Sequence, residues 1–394
     1  MNFKRNISAM LALSMLFAAS CGGQAGSSET TSGSESSDAA TVAEKAEYEK
    51  PDVDYGGKTV TYIAHQWSSN WVINSYKLDS DEENGDQIND AIVKRNRAVE
   101  EALKVKLEVL PLTEGSDRWD STNLQKHILA ADDAFSFAMV MGGVLPPVIT
   151  TEGMLADLRT IPTLDLSHSW WDQSANDEYT IYGKQQAAVG DINFFNNGAP
   201  IVVYFSRELV KDNKMEEPYE LVKSGKWTLD AFLKTAAEFS HDLDGDGTIG
   251  VRDMYGLITD TNGYNPFQYS TGCSLTKREA DGTQVIDFPN EKEIEVFDKI
   301  FDFCHSDVFR DNGNMEDGYS MIEAFSGGTT AFISGKLDQV EKLRDMKSDF
   351  GIIPFPKYDE DQENYITSVL RTVTVASIPT TVAEPEKCTF ILEA

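Results

Sequence analysis

The sequence predicts an α/β protein of two domains, and three observations carry that reading. From Thr59 onward, β-branched and aromatic runs alternate with segments of helical spacing. The alternation breaks once, where two strand-like runs follow each other with almost no helix between them. At 394 residues, with 41% of them hydrophobic, the chain is long and apolar enough to fill two cores of ordinary size.

The chain opens with MNFKRNISAMLALSMLFAASCGG. Lys4 and Arg5 form a basic start, Ile7 to Ala19 an apolar run, and Cys21 follows small residues. This is the pattern of a secretory signal, residues 1–21. The apolar run falls well short of the roughly 20 residues that a membrane span needs. A cysteine in this position resembles the lipobox of bacterial lipoproteins, in which Cys21 is lipidated and becomes the mature N-terminus. Ala18 departs from that pattern, which usually carries leucine there. Residues 22–54 are rich in Gly, Ser, Thr and acids, lack apolar periodicity, and read as a flexible tether.

TVTYIA (59–64) is the first strand, and Ile88, Ile92, Val99 and Leu103 keep the spacing of one helical face. VKLEVLPL (105–112) is a second strand, a polar stretch through His127 to Ala131 a second helix, and FAMVMGG (137–143) a third strand ending in glycines. Three such units predict a mostly parallel sheet flanked by helices. GKQQAAVGD (183–191) and APIVVYFSREL (199–209) are the two runs that break the rhythm, where a chain crosses to a second lobe. KWTLDAFLKTAAEFS (226–240) is a helix with Thr228 as its N-cap. Then come a helix from Glu291 to His305, the strand TTAFISG (329–335), a helix from Lys336 to Arg344, the strands DFGIIPFP (349–356) and TVTVASIP (372–379), and a helix begun by Pro385. Cys273, Cys304 and Cys388 are an odd, widely spaced set that reads as free packed thiols.

The order of these elements, and in particular YGKQQAAVGD, APIVVYFSRELVKDN, WTLDAFLKTA, FSGGTTAFISG and DFGIIPFP followed by TVTVASIP, resembles the extracellular solute-binding proteins of bacterial ABC importers, the family that includes maltose-binding protein. The resemblance spans residues 55 to 394. It implies a two-lobed periplasmic-binding-protein-like fold of type II with hinge-linked lobes, lobe one at 55–190 plus 355–394 and lobe two at 191–354. Members of that family usually continue with several more helices, so part of lobe two is expected to be missing here. The resemblance also implies a monomeric, lipid-anchored protein outside the cytoplasm that captures a neutral solute, a carbohydrate, and delivers it to permease transmembrane subunits.

The net charge of -31 repels phosphate backbones and anionic headgroups, which excludes nucleic acid as a partner. The five histidines are scattered and form no metal-ligand spacing, and HExxH, GxSxG and P-loop patterns are absent. The protein is therefore expected not to be an enzyme. A glycosidase using a carboxylate pair remains an alternative, and a calcium-dependent surface adhesin or scaffold component is another. Aromatic rings suit the flat C–H faces of sugars, and the chain has six Trp and 14 Tyr for such contacts, although most aromatics in any protein are core.

The candidate solute contacts are placed by position. Gln66 and Trp67 follow the first strand, at the end where α/β sheets hold ligands. Met141 and Gly142 end the third strand. Asp191 and Phe195 lie at the lobe crossing, with Asn196 and Asn197 beside them. Phe267 and Tyr269 sit in GYNPFQYS, which aligns loosely with a family segment carrying an aromatic sugar contact. Lys336 follows ISG, and Arg371 precedes TVTVA. Each has a bland alternative in packing, capping or a solvent-facing ion pair. Trp170 and Trp171 read as packing residues.

HDLDGDGTIGVRD (241–253) carries a calcium-loop pattern. Asp242, Asp244 and Asp246 fall at positions 1, 3 and 5, Gly247 at the sharp turn, Thr248 at the backbone-carbonyl position and Asp253 at position 12. That spacing wraps oxygens around one point, as a hard Ca2+ ion requires. Sensors pair two such loops and dockerins repeat theirs. A single loop is expected to be a structural staple.

The lipobox reading makes a direct prediction. The Cys21→Ala chain should stay uncleaved by the lipoprotein pathway and take up no acyl label, and fatty-acid labelling equal to that of the parent would end this reading.

Overall fold

The computed structural model describes residues 48–65, 82–112, 120–131, 133–250, 252–259, 265–280, 282–312 and 320–394. Cys21, Gln66, Trp67 and most of the tether lie outside the described residues. Tyr48–Ala394 form one compact unit.

Lobe one begins with β1 (Thr59–His65), α1 (Gln87–Leu103), β2 (Lys106–Leu112), α2 (Thr122–Ala130), β3 (Phe137–Met141) and α3 (Gln173–Glu178). Asp86 caps α1 by accepting the N–H groups of Ile88 and Asn89. The helix buries Ile92, Val99 and Leu103, the face that the sequence spacing predicts. At Lys104 the chain turns left-handed, its N–H returning to the Glu100 carbonyl, and so enters β2 at once. β1 pairs in parallel with both β2 and β3, and the rings of Tyr62 and Phe137 stack across the latter pair at 5.2 Å.

Lobe two contains β4 (Ile201–Ser206), α4 (Leu229–Ala237), β5 (Tyr255–Thr259), α5 (Asn265–Ser270), the hairpin β6 (Thr276–Arg278) and β7 (Gln284–Ile286), α6 (Glu291–Cys304), β8 (Phe309–Asp311), β9 (Thr330–Lys336) and β10 (Phe350–Ile353). Thr228 caps α4 as expected, accepting the Ala231 N–H at 3.3 Å. Asn290 and Glu293 close a capping box on α6. Phe232 of α4 is the hub of the core, with the rings of Trp227, Phe267, Phe303 and Phe332 packed around it at 5.2 to 5.8 Å. The chain then returns to lobe one with β11 (Thr374–Ser377) and α7 (Pro385–Glu393).

The strand order in lobe one is β11-β3-β1-β2, with β11 antiparallel to β3. In lobe two it is β8-β5-β9-β4-β10. That second sheet is mixed: β8, β5 and β9 are parallel, whereas β4 is antiparallel to both β9 and β10. The expected strand at 183–191 is a two-residue pairing at Lys184–Gln185, and the rest is extended backbone bridged to β11 at Ala188 and to Trp171 at Gly190. The expected helix at 336–344 is a 3-10 turn, Leu337–Gln339, followed by Val340–Leu343, because β9 runs on through Lys336.

Both lobe boundaries move toward the C-terminus relative to the sequence reading. Asn193 and Asn196 bond to Thr374 of β11, so the chain is still on lobe one there and leaves it after residue 198. Residues 354–362 remain on lobe two: Trp227 donates to the Pro354 carbonyl at 3.0 Å, Ser270 to Pro356 at 2.8 Å, and Gln362 to Ser270 at 2.8 Å. The return crossing comes at 368–370, where Ile201 N–H donates to Ser368 and Leu370 N–H to Ala199.

Trp170 and Trp171 are packing residues. Both indoles donate to the carboxylate of Glu393, which ties α7 to lobe one. The three described cysteines are free, and burial pushes the Cys304 and Cys388 thiols up to about 11 and about 12, so both stay protonated and inert at neutral pH.

Gly142, just past β3, makes a test of this packing. A Cβ built there would lie 2.3 Å from the Tyr179 hydroxyl but 3.6 Å from its ring carbon Cζ. Gly142→Ala should cost about 1–3 kcal/mol of stability, the range of overpacked sites. Adding Tyr179→Phe should recover most of it in urea melts; a double variant no more stable than Gly142→Ala would disprove the contact.

Candidate functional site

The two crossing segments pair with one another. Pro200 and Val369 form an antiparallel bridge, flanked by the Ile201 to Ser368 bond at 2.8 Å and the Leu370 to Ala199 bond at 3.3 Å. The end of β9 joins them, since Leu337 N–H donates to the Pro200 carbonyl at 2.8 Å. Beside this crossing is a recess lined by Phe195, Asn196 and Thr372 from the lobe-one side and by Lys336 and Asp338 from lobe two.

Each lining group is held by its element. Phe195 sits in the 3-10 turn Phe194–Gly198, which Asn193 caps by accepting the Phe195 N–H at 3.1 Å. The Asn196 amide pairs in both directions with Thr374, donating to its carbonyl at 2.9 Å and accepting its N–H at 2.8 Å. Lys336 ends β9 and its ammonium donates to the Asp338 carboxylate. An aromatic ring, an ammonium and a carboxylate thus meet around a gap of about 10 Å³, the room of a single water.

Of the sequence candidates, the structure brings Phe195 and Lys336 together at the recess, with Arg371 exposed next to Thr372. Asp191 is exposed on the same loop as Phe195 but does not line the recess, and its N–H donates to the Trp170 carbonyl. Tyr269 is 42% exposed on α5, also away from the recess.

Two candidates are corrected. Met141 has no exposed surface, because its side chain points into the lobe-one core. Phe267 is 1% exposed and packs between Phe232 and Phe355, so its ring belongs to the core of lobe two. Gly142 is buried as well; its N–H donates to Val373 and that of Gly143 to Arg371, which docks the end of β3 against the return crossing.

Sequence reasoning missed Thr372 and Asp338 of the recess; Phe194 lies outside that lining, 56% exposed with its ring 5.9 Å from that of Phe195. The doubled aromatic in INFFNN was the available signal for Phe194. It also passed over His65, which ends β1 fully inside lobe one. Burial lowers its pKa to about 4, so the imidazole is neutral at physiological pH and its Nδ1 faces the Met141 N–H at 3.4 Å.

The acidic loop is a separate feature of lobe two. The carboxylates of Asp242, Asp244 and Asp246 offer oxygens that all lie within 4.8 Å of one another. Asp242 accepts the N–H groups of Gly245 and Gly247, and these bonds, Gly247's first, hold its pKa below the usual carboxylate range. The Thr248 hydroxyl donates to Asp246, which leaves the Thr248 carbonyl as its ligand-type oxygen. Asp253 departs from the pattern: it is 3% exposed, stands outside that cluster, and accepts the Leu243 N–H at 2.8 Å and the Gly250 N–H at 2.5 Å. No helix among the described residues is long and apolar enough to cross a membrane.

No protein-family model matches the chain, and no curated protein matches it in sequence. Solved structures do match in fold. UspC of M. tuberculosis superposes with a TM-score of 0.56 at 14% identity, over 85% of this chain and 76% of that one. A cyclo/maltodextrin-binding protein complexed with maltotetraose gives 0.54 at 12% identity, over 85% and 73%. An ABC substrate-binding protein from Listeria monocytogenes in complex with cycloalternan gives 0.50 at 13% identity, over 85% and 74%. The chain thus has the two-lobed, hinge-linked α/β fold of these proteins.

Proposed function

We propose that this protein is a lipid-anchored, extracytoplasmic solute-binding protein of an ABC importer, which captures a neutral carbohydrate between its lobes and delivers it to membrane permease subunits. The observation that carries the reading is the two-lobed fold with its paired crossing, where Phe195, Asn196, Thr372, Lys336 and Asp338 meet from both lobes around a gap of about 10 Å³ that a sugar enters only when the lobes part. A solute touching both sides favours the closed arrangement by its differential affinity for it. Ring faces meet the C–H surfaces of a sugar while the ammonium and carboxylate take its hydroxyls, and no covalent step is involved. The fold supports the class of solute, since two of the similar chains were solved with maltotetraose and with cycloalternan.

Thermal-shift measurement against neutral mono- and oligosaccharides, maltotetraose and cycloalternan among them, tests this reading. A sugar present at 100 times its Kd stabilises the folded state by about 2.7 kcal/mol, which is readily seen as a higher Tm. Phe195→Ala and Lys336→Ala should weaken that binding by about 1–3 kcal/mol each. A panel of sugars that leaves Tm unchanged, alongside amino acids or peptides that raise it, would refute the carbohydrate assignment.

A calcium ion in the 242–253 loop is the second part of the proposal, as a structural staple without a role in solute capture. The clustered carboxylates of Asp242, Asp244 and Asp246 support it, and calcium supplies there a positive charge that offsets their mutual repulsion. EDTA should lower the Tm of the parent and leave sugar affinity unchanged, and the Asp242→Ala, Asp246→Ala double variant should be insensitive to EDTA. Equal Tm values for the parent with EDTA and with millimolar calcium would exclude the staple.

A further inference from the structure

One guanidinium of lobe two reaches three oxygens of lobe one. Arg278 ends β6 in the β6–β7 hairpin, and its Nη1 donates to Asp177 Oδ1 at 2.9 Å. Its Nη2 donates to the carbonyls of Asp177 at 2.8 Å and of Thr180 at 2.9 Å. Asp177 lies in the last turn of α3, its carbonyl shared with the Tyr179 N–H, and Thr180 follows two residues past the helix end. The contact is remote from the crossing in sequence, and it joins the lobes through side-chain chemistry instead of through the chain.

Each end of the contact is fixed to its own lobe. On the lobe-one side, Asn176, next to Asp177, is buried and its side-chain oxygen accepts the Val189 N–H at 3.0 Å. On the lobe-two side, Asp287 N–H donates to the Leu275 carbonyl and Cys273 N–H to Gln268 of α5, which packs through Phe267 into the aromatic core. A change in the angle between the lobes therefore has to break the Arg278 contacts.

We propose that Arg278 is an interlobe latch that holds the two lobes in the arrangement seen here, in which it reaches Asp177 and Thr180, before any solute is bound. An exposed ion pair contributes little by itself, and Asp177 is 75% exposed. Here the planar fork of one guanidinium also occupies two backbone carbonyls, which a lysine ammonium in the same place does not match in geometry. The bias needed is small, because hinge-linked lobes interconvert between arrangements of similar free energy. On the solute-binding reading, the consequence is for affinity: the apparent Kd falls in proportion to the fraction that the latch maintains in this arrangement.

The latch is tested on the full chain without added solute, so the outcome does not depend on whether a sugar binds. Small-angle scattering at low salt should give a larger radius of gyration for Arg278→Ala and for Asp177→Ala than for the parent. Arg278→Lys should fall between them, and the parent should expand toward the alanine variants as salt screens the ionic arm of the contact. Circular-dichroism melts report whether each variant is folded, and if Arg278→Ala does not fold, Asp177→Ala decides. Scattering curves of parent and folded variants that superimpose at low salt overturn the latch, while leaving the solute-binding reading intact.

Discussion

The two-lobed structure depends on one short piece of antiparallel backbone, the pairing of 199–201 with 368–370. A chain that crosses between lobes twice has two loose connections unless the crossings are bonded to each other. Bonded, they act as one hinge, and rotation is absorbed by the few φ/ψ angles on either side. β4 starts from this hinge at Ile201, and Leu337 at the end of β9 bonds to Pro200, so two strands of the second sheet are fixed to it directly. On the other side β11 follows four residues after Leu370. Any change in lobe angle is thus transmitted to the edge strand β11 of the first sheet and to the interior strands β4 and β9 of the second.

That arrangement divides the polar residues around the crossing into two groups with different work. Asn196 pairs in both directions with the Thr374 backbone in place of a ladder partner, while Asn193 donates to the Thr374 hydroxyl and accepts the Phe195 N–H. They place the turn, and the turn places Phe195 at the recess. Lys336 and Asp338 face it from lobe two, already bonded to each other as an organised pair of opposite charges. The same pairing keeps either charge from standing alone in a partly desolvated recess.

Much of this was legible in the sequence, and the parts that were not share a cause. β1 and β3 announce themselves as β-branched and apolar runs, α1 through its periodic apolar face, and α4 through its face and its Thr228 cap, because those signals are local. The lobe boundaries are set by backbone hydrogen bonds of extended segments, such as Pro354 to Trp227 and Ser368 to Ile201, which impose no period on side chains. β5 (YGLIT) is absent from the sequence reading although it is buried throughout, because it is too short to show a period. Phe267 reads as a solute contact in sequence because one sequence does not distinguish a ring in an aromatic core from a ring at a cleft; only its neighbours Phe232 and Phe355 do.

The acidic loop shows how a familiar spacing can serve two ends. Asp253 holds the position of the last metal ligand, yet it is buried and both its oxygens receive backbone N–H groups, from Leu243 at the start of the loop and from Gly250 near its end. With the bridge between His241 and Met254, these bonds close the base of the loop through the chain's own atoms. β5 begins one residue later, so the register of a central strand rests on this closure. What the base cannot offset is the repulsion among Asp242, Asp244 and Asp246 at the exposed tip, where backbone N–H groups meet only part of the charge. A cation bound there would act on the tip, relieving a local cost, whereas the connection of α4 to β5 is secured by Asp253.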